Sequence, residues 1–222
     1  NRGDGIDGLP PPRISGAMTT LDFSRLLIEE YGADPNLSLT SGNAGGPKFG
    51  MRGATPFLLA CRTADLPYLK VLYQLGADPS IANADETTAL LAACGVGSRT
   101  PEEEAGTEDE AIEVIEWLFE LGSEVNEVNR QKETAMHGAA YRNWPKVVHL
   151  LADTGADIAI WNEKNRHRWT PLLIAQGFRP GNFKPDAATE KAIAEVMLAD
   201  GVEPPPAPER PLVGKPKEYE EP

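Results

Sequence analysis

Three histidines and two cysteines are the side chains of this 222-residue chain whose types could carry chemistry on their own. His137, in Thr134-Ala-Met-His137-Gly-Ala139-Ala140, is a lone imidazole among small apolar residues. It could act there as a general base or fill a structural place. His149 falls beside the apolar stripe of a later helix, and His167 at the tip of a polar loop. None of the three stands at metal-ligand spacing from Cys61 or Cys94. A nucleophilic cysteine needs an exposed, electropositive niche, whereas both cysteines stand in apolar helix positions. The densest carboxylates, Glu102-Glu-Glu104 and Glu108-Asp-Glu110, lack the spacing of a calcium loop. They read as a solvated loop followed by helix-start charges. No catalytic residue, cofactor or metal ligand is expected.

Three short motifs match by letters only. Gly3-Asp-Gly5-Ile-Asp-Gly8 spells a dinucleotide fingerprint, but that needs a strand before it and a helix after it, and Leu9-Pro-Pro-Pro12 follows. Arg2-Gly3-Asp4 spells a cell-adhesion tripeptide by chance. Asn36-Leu-Ser38 is a glycosylation sequon that has meaning only in a secreted eukaryotic protein.

The elements that would position these residues come from an internal repeat. Glu133 to Ile158 is its clearest copy: Thr134-Ala-Met-His137, a turn with Trp144-Pro145, a helix with Val147, Val148, Leu150 and Leu151 on one face, and Gly155-Ala156-Asp157. Thr55-Pro-Phe-Leu-Leu-Ala60-Cys61 and Thr88-Ala-Leu-Leu-Ala-Ala93-Cys94 copy the first half at a spacing of 33 residues. Gly76-Ala-Asp-Pro79 and Gly122-Ser-Glu-Val125 copy the second. A fixed period near 33 with Thr-Pro-Leu-His-like and Gly-Ala-Asp-like anchors resembles the ankyrin repeat family. The fold this implies is all-α: a solenoid of about five helix-turn-helix units with β-hairpin fingers between them. His137 then matches the family's structural histidine, which hydrogen-bonds to the threonines of its own and neighbouring units. Cys61 and Cys94 stand one period apart. Equivalent positions on stacked helices lie about 8–10 Å apart, beyond the roughly 7 Å a disulfide spans, so two free, buried thiols are expected.

Residues 1–19 read as a Gly/Pro-rich insertion of a first repeat whose opening helix would lie before Asn1. Asn1 is not an initiator methionine, and the chain reads as part of a longer one. The repeat domain spans 20–203, and 204–222 form a Pro/Glu-rich extended tail. The helix over Thr20–Tyr31 has one residue more before Gly32-Ala-Asp-Pro35 than the other units, which predicts a bulge or loosened last turn. Residues 37–52 form an enlarged finger. Asp65, with Pro67 behind it, caps the second helix of unit two. Thr107-Glu-Asp-Glu110 is a capping box that opens a helix through Leu121. Thr100-Pro101-Glu-Glu103 repeats that signal inside an insertion over 95–106, where it predicts one short turn of helix. A further insertion covers 176–187. Insertions between the helices of a unit thus occur in units one, three and five, while two and four keep tight turns. They line one edge, as a second contact surface or as a cover for core edges; tolerated surface lengthening is the plain alternative.

The finger at 161–169 is the leading recognition candidate. Lys164, Arg166 and Arg168 form a basic patch between Trp161 and Trp169, and Trp and Arg dominate binding hot spots. Ankyrin-type proteins bind partners through finger tips and inner helices, so the resemblance points to the same place. Lys48, Phe49, Arg52, Arg130 and Lys132 would extend that face. Trp144, Phe178, Arg179 and Phe183 belong to the opposite edge, where the aromatics could pack on one another, while Trp117 takes a core position. The chain is acidic, with 34 Asp+Glu against 21 Lys+Arg and a net charge of −13, which repels a phosphate backbone. No apolar run approaches the length of a membrane span. The expected partner is therefore another protein, or another part of the same longer chain or assembly. Membrane insertion and nucleic acid are not expected. The residues themselves leave the compartment open; only the resemblance to bacterial ankyrin arrays with such Gly/Pro insertions points slightly to a periplasmic or secreted location over the cytoplasm. The reading is a non-catalytic interaction scaffold, against a targeting or spacer module of a larger enzyme or a structural subunit of an assembly.

Overall fold

Threonine starts each inner helix of the computed structural model, which describes residues 18–45, 48–100, 104–178 and 185–208. The hydroxyl of Thr55 accepts from the Leu58 N–H at 3.2 Å, that of Thr88 from Leu91 at 3.3 Å, and that of Thr170 from Leu173 at 3.3 Å. Each satisfies a donor left open in the first turn, which stabilises a helix by about 1 kcal/mol. The inner helices are α2 (Pro56–Arg62), α4 (Ala89–Ala93), α6 (Ala135–Arg142) and α9 (Pro171–Ala175). The outer layer holds α1 (Thr20–Glu29), α3 (Leu66–Gln74), α5 (Glu108–Glu120), α7 (Pro145–Asp153) and α10 (Ala187–Ala199). A short helix not foreseen from sequence, α8 (Ile158–Trp161), follows α7, capped by Asp157. Asp65 caps α3 and the Thr107–Glu110 capping box opens α5, as expected.

Gly76, Gly122, Gly155 and Gly201 close the outer helices with φ between 74° and 96°. There the next N–H reaches back five residues, as from Ala77 to the Leu72 carbonyl. At α1 the same closure spans six, from Ala33 to Leu27 at 2.9 Å, so the extra residue widens the last turn.

Inner helices stack α2 on α4, α4 on α6 and α6 on α9, while outer helices stack α1, α3, α5, α7 and α10 in turn. One apolar core runs through all of them, with Phe57, Leu58, Leu72, Leu91, Ile115, Met136, Leu151 and Ile174 fully buried. Burying each such side chain stabilises the stack by about 1.5–3 kcal/mol. Cys61 and Cys94 are free and buried. Among the described residues there is no strand; the fingers expected as β-hairpins are turns. No described helix is long and apolar enough to cross a membrane.

The insertion of unit three folds down as a brace. Glu104 accepts from the Ser98 hydroxyl at 2.8 Å and the Arg99 N–H at 2.9 Å. It also pairs with Arg62 of unit two at 3.5 Å and Arg142 of unit four at 3.4 Å. Arg142 donates further to the carbonyls of Ala105 and Gly106, at 3.1 and 2.6 Å. The loop therefore covers the two tight turns beside it, whose backbones pass through the left-handed region at Ala64 and Asn143. Burial alone would raise the Glu104 carboxyl, but the Arg99 N–H, the Ser98 hydroxyl and the Arg62 charge outweigh it and leave it lowered. Pro101–Glu103, and with them the short helical turn expected there, lie outside the described residues.

Glu104→Ala should lower the unfolding free energy by roughly 2–3 kcal/mol, because it takes the carboxylate from the buried Arg142 guanidinium and leaves it only the Ala105 and Gly106 carbonyls. Asp109→Asn opens only the exposed pair with Lys146 and should leave the urea midpoint in place. Coincident urea curves for Glu104→Ala and the parent would show that the loop braces nothing.

Candidate functional site

One turn is built three times along the edge that carries the fingers. Asn83, Asn129 and Asn165 each stand five residues before the threonine that caps the next inner helix. Each asparagine Oδ1 accepts from the N–H groups two and four residues ahead. The distances are 3.0 and 2.9 Å at Asn83, 2.9 and 2.9 Å at Asn129, and 3.0 and 3.1 Å at Asn165. The side chain thereby imitates a backbone turn. The residue three after each asparagine is left-handed: Glu86 at φ 60°, Lys132 at 58° and Arg168 at 69°. The first finger meets the same requirement with Gly53 at φ 82°. For a lysine or arginine this conformation costs on the order of 1 kcal/mol. Successive fingers are tied by one equivalent main-chain bond of 2.9 Å each, from the N–H of Ala84 to the Arg52 carbonyl, of Arg130 to Asp85 and of Arg166 to Gln131. Sequence reasoning missed this turn; the signal present was an asparagine at a fixed offset before each threonine.

Among the expected contact residues, Lys48, Arg52, Arg130, Lys132, Lys164, Arg166 and Arg168 are exposed. Arg130 pairs with Glu86 at 3.0 Å. Lys132, Lys164, Arg166 and Arg168 form no ion pair among the described residues. Trp169 is half-buried, with the His167 ring stacked on it at 5.1 Å. The third and fourth fingers therefore bring their cations together. The second carries Asp85 and Glu86 instead, which separates Arg52 from the rest.

Two expected contact residues leave the surface. Trp161 is 1 % exposed, because α8 turns its ring into the core. Phe49 is 5 % exposed: its N–H donates to the Gly97 carbonyl at 3.1 Å, and the Arg62 guanidinium lies 5.3 Å above its ring. A Cβ on Gly97 would collide with the Phe49 backbone. The enlarged first finger folds back here. The Gly45 N–H donates to Asp85 Oδ1 at 2.7 Å, and Asn83 Nδ2 donates to the Gly50 carbonyl at 2.7 Å. On the opposite edge Trp144 is 7 % exposed under the Arg142 guanidinium, 4.3 Å from its ring. Phe178 is half-buried, while Arg179 and Phe183 lie outside the described residues. Trp117 packs half-buried against Phe57 and Tyr73.

His137 is fully buried. Its Nδ1 accepts from the Thr134 N–H at 3.3 Å and the Thr134 hydroxyl at 3.0 Å. Its Nε2 faces the Trp169 carbonyl at 3.3 Å, so its neighbour-unit partner is a main-chain oxygen rather than a threonine. Burial pushes its pKa down to about 4. The nearby Glu133, also buried, accepts from the Tyr141 hydroxyl at 2.8 Å and from Asn165 Nδ2 at 3.2 Å. Burial outweighs those donors and pushes its pKa up to about 7. Burial likewise raises both thiols, which removes them as nucleophiles at neutral pH. Among the described residues no group of three or more His, Cys, Asp or Glu is arranged to hold a metal ion.

His137 and Glu133 oppose each other across the acid range. The unfolded chain binds a proton at His137 below about 6.5, the native one only near 4, so acidification through this window destabilises. Native Glu133 holds a proton up to about 7, the unfolded one only to 4.5, so the same acidification stabilises. His167, lowered, and Glu127, raised, add to the two sides mainly by burial. The parent should keep a nearly level stability between pH 4.5 and 6.5. Glu133→Gln should lose about 1.4 kcal/mol per pH unit on acidification through it. A level profile in Glu133→Gln, measured by urea unfolding at stepped pH, would contradict the opposition.

Residues 105–184 match the family model described as ankyrin repeats in three copies. The transient receptor potential channel pyrexia of Drosophila melanogaster is 30% identical over 157 residues, 70% of this chain and 14% of the channel. The probable 26S proteasome regulatory subunit p28 of Saccharomyces cerevisiae is 28% identical over 151 residues, 67% of this chain and 59% of p28. The ankyrin repeat, SAM and basic leucine zipper domain-containing protein 1 of Dasypus novemcinctus is 29% identical over 141 residues, 64% of this chain and 26% of that protein. The chain thus spans less than two thirds of each. With threonine-capped inner helices, glycine-closed outer helices and one core shared along the stack, the chain belongs to the ankyrin repeat family.

Proposed function

We propose that the chain is a non-catalytic binding module that captures an acidic patch of a folded protein on its third and fourth fingers. The observation that carries this reading is the set Lys132, Lys164, Arg166 and Arg168. These are four exposed cations without a counter-ion among the described residues, on a protein of net charge −13. Trp169 beside them supplies an aromatic surface of the kind that anchors protein contacts. Phe49 and Trp161, being buried, are left out, and Lys48 and Arg52 stand apart behind the acidic second finger. Ankyrin repeats serve as protein-interaction modules, and p28 is named as a probable 26S proteasome regulatory subunit.

A second reading rests on a separate observation. Met18, Phe23, Leu27, Tyr31, Leu37 and Leu39 are all exposed at the end of the stack formed by α1. That apolar end favours a structural role in which the stack continues into a larger assembly. Sedimentation of the isolated chain separates the two: concentration-dependent association abolished by Phe23→Glu belongs to the second.

Charge reversal at Lys164, Arg166 and Arg168 together should weaken capture of partner protein about tenfold or more, mainly by lowering the association rate at low salt. Capture by the triple variant equal to that of the parent would remove this face from the account.

A further inference from the structure

The left-handed position of the fingers carries Gly53, Glu86, Lys132 and Arg168 in turn. Glycine adopts that conformation without strain, and the first finger uses it. A long cationic side chain on the third and fourth fingers is a worse choice for the turn itself. Observed strain of this kind points to use of the side chain. The asparagine bonds of the two turns match, so Lys132 and Arg168 leave equivalent backbones in equivalent directions. Both are exposed, and neither has an ion pair among the described residues. The acidic Glu86 occupies the same position on the second finger and takes Arg130, so the row of unpaired charge begins at Lys132.

Stacked helical units repeat every 8–10 Å or so, and the fingers, tied one to the next, follow that pitch. A polyproline II helix rises about 3.1 Å per residue with three residues per turn, so every third side chain returns to the same face after about 9 Å. A sheet-like strand cannot match this, because residues three apart point to opposite faces. We infer that Lys132 and Arg168 form a two-point clamp for an extended, proline-rich segment of a partner protein with carboxylates three residues apart. This rests on the binding face proposed above and narrows its partner.

The test uses the full chain and fluorescence anisotropy at low salt. The probes are a dye-labelled peptide repeating Glu-Pro-Pro, an isomer with its glutamates bunched at one end, and a thymidine oligonucleotide. The repeating peptide should bind about tenfold tighter than the isomer, since only it engages both charges at once. Lys132→Gly with Arg168→Gly should remove that preference while the melting temperature stays level or rises. Lys132→Gln with Arg168→Gln, which removes both charges but keeps an unbranched polar side chain in the turn, should lose it equally. Equal affinity for the two peptides, an unaltered preference in either double variant, or tighter binding of the oligonucleotide would overturn the clamp. If both peptides bind equally and both are lost on charge reversal at Lys164, Arg166 and Arg168, the face stands and only the spacing falls. If the parent binds neither peptide, the clamp falls, and capture by the charge-reversed triple variant decides separately whether the face falls with it.

Discussion

No inner helix of this chain has a core of its own. Leu58 on α2, Leu91 on α4, Met136 on α6 and Ile174 on α9 are buried by the units before and after them. Remove one unit and its neighbours are left with open apolar faces, as α1 is at its outer side. Stability in such a stack is close to a sum of nearest-neighbour terms. That constraint leaves little room inside for a reaction centre. Four interior groups that could titrate, His137, Glu133 and the two cysteines, are held in their neutral forms near neutral pH or below by burial itself. Binding chemistry is displaced to the edges, where loops end and side chains face water.

The edges are coupled unevenly. Asn36 ties unit one to unit two, donating to the Gly76 carbonyl at 3.0 Å and accepting from the Asp78 N–H at 2.7 Å. Asn126 repeats the device between units three and four, with Gly155 and Asp157. At the corresponding places units two and four carry Ser80 and Ala159, and Ser80 bonds to Asp78 in its own unit instead. The brace at Glu104 joins units two, three and four on the opposite edge. Units two and three are thus held by the inter-helix loop and by the folded-back first finger, where the outer asparagine tie is missing.

Much of this was legible in the sequence because local rules set it. Threonine caps, closing glycines and the Thr107–Glu110 box each act within a few residues, and a fixed period multiplies the signal. The free buried thiols followed from that period, and so did the widened turn after α1. What escaped was decided at longer range. Phe49 and Trp161 look like finger aromatics, but a chain that folds back over Gly97 and a four-residue helix capped by Asp157 take them inside. Nothing in residues 37–52 alone says that a bare Gly97 awaits them. The cations at 164–168 stayed outside because the asparagine turn that carries them has no interior.

The charge distribution completes the physical picture. An acidic body surrounds a small cationic edge, so the two must act over different distances. At physiological salt charges are screened beyond about 8 Å. A duplex or long polyanion laid along the stack would meet the acidic surface as well as the fingers, and its many phosphates would multiply the repulsion. On the proposed reading, a narrow acidic segment that touches only the third and fourth fingers faces Lys132, Lys164, Arg166 and Arg168 directly, and far fewer of the chain's carboxylates than a duplex would. The same net charge that disfavours one class of partner therefore costs the other little. On the proposed reading, selectivity comes from how few residues a partner needs to cover, and the strained turns that project those residues set that number.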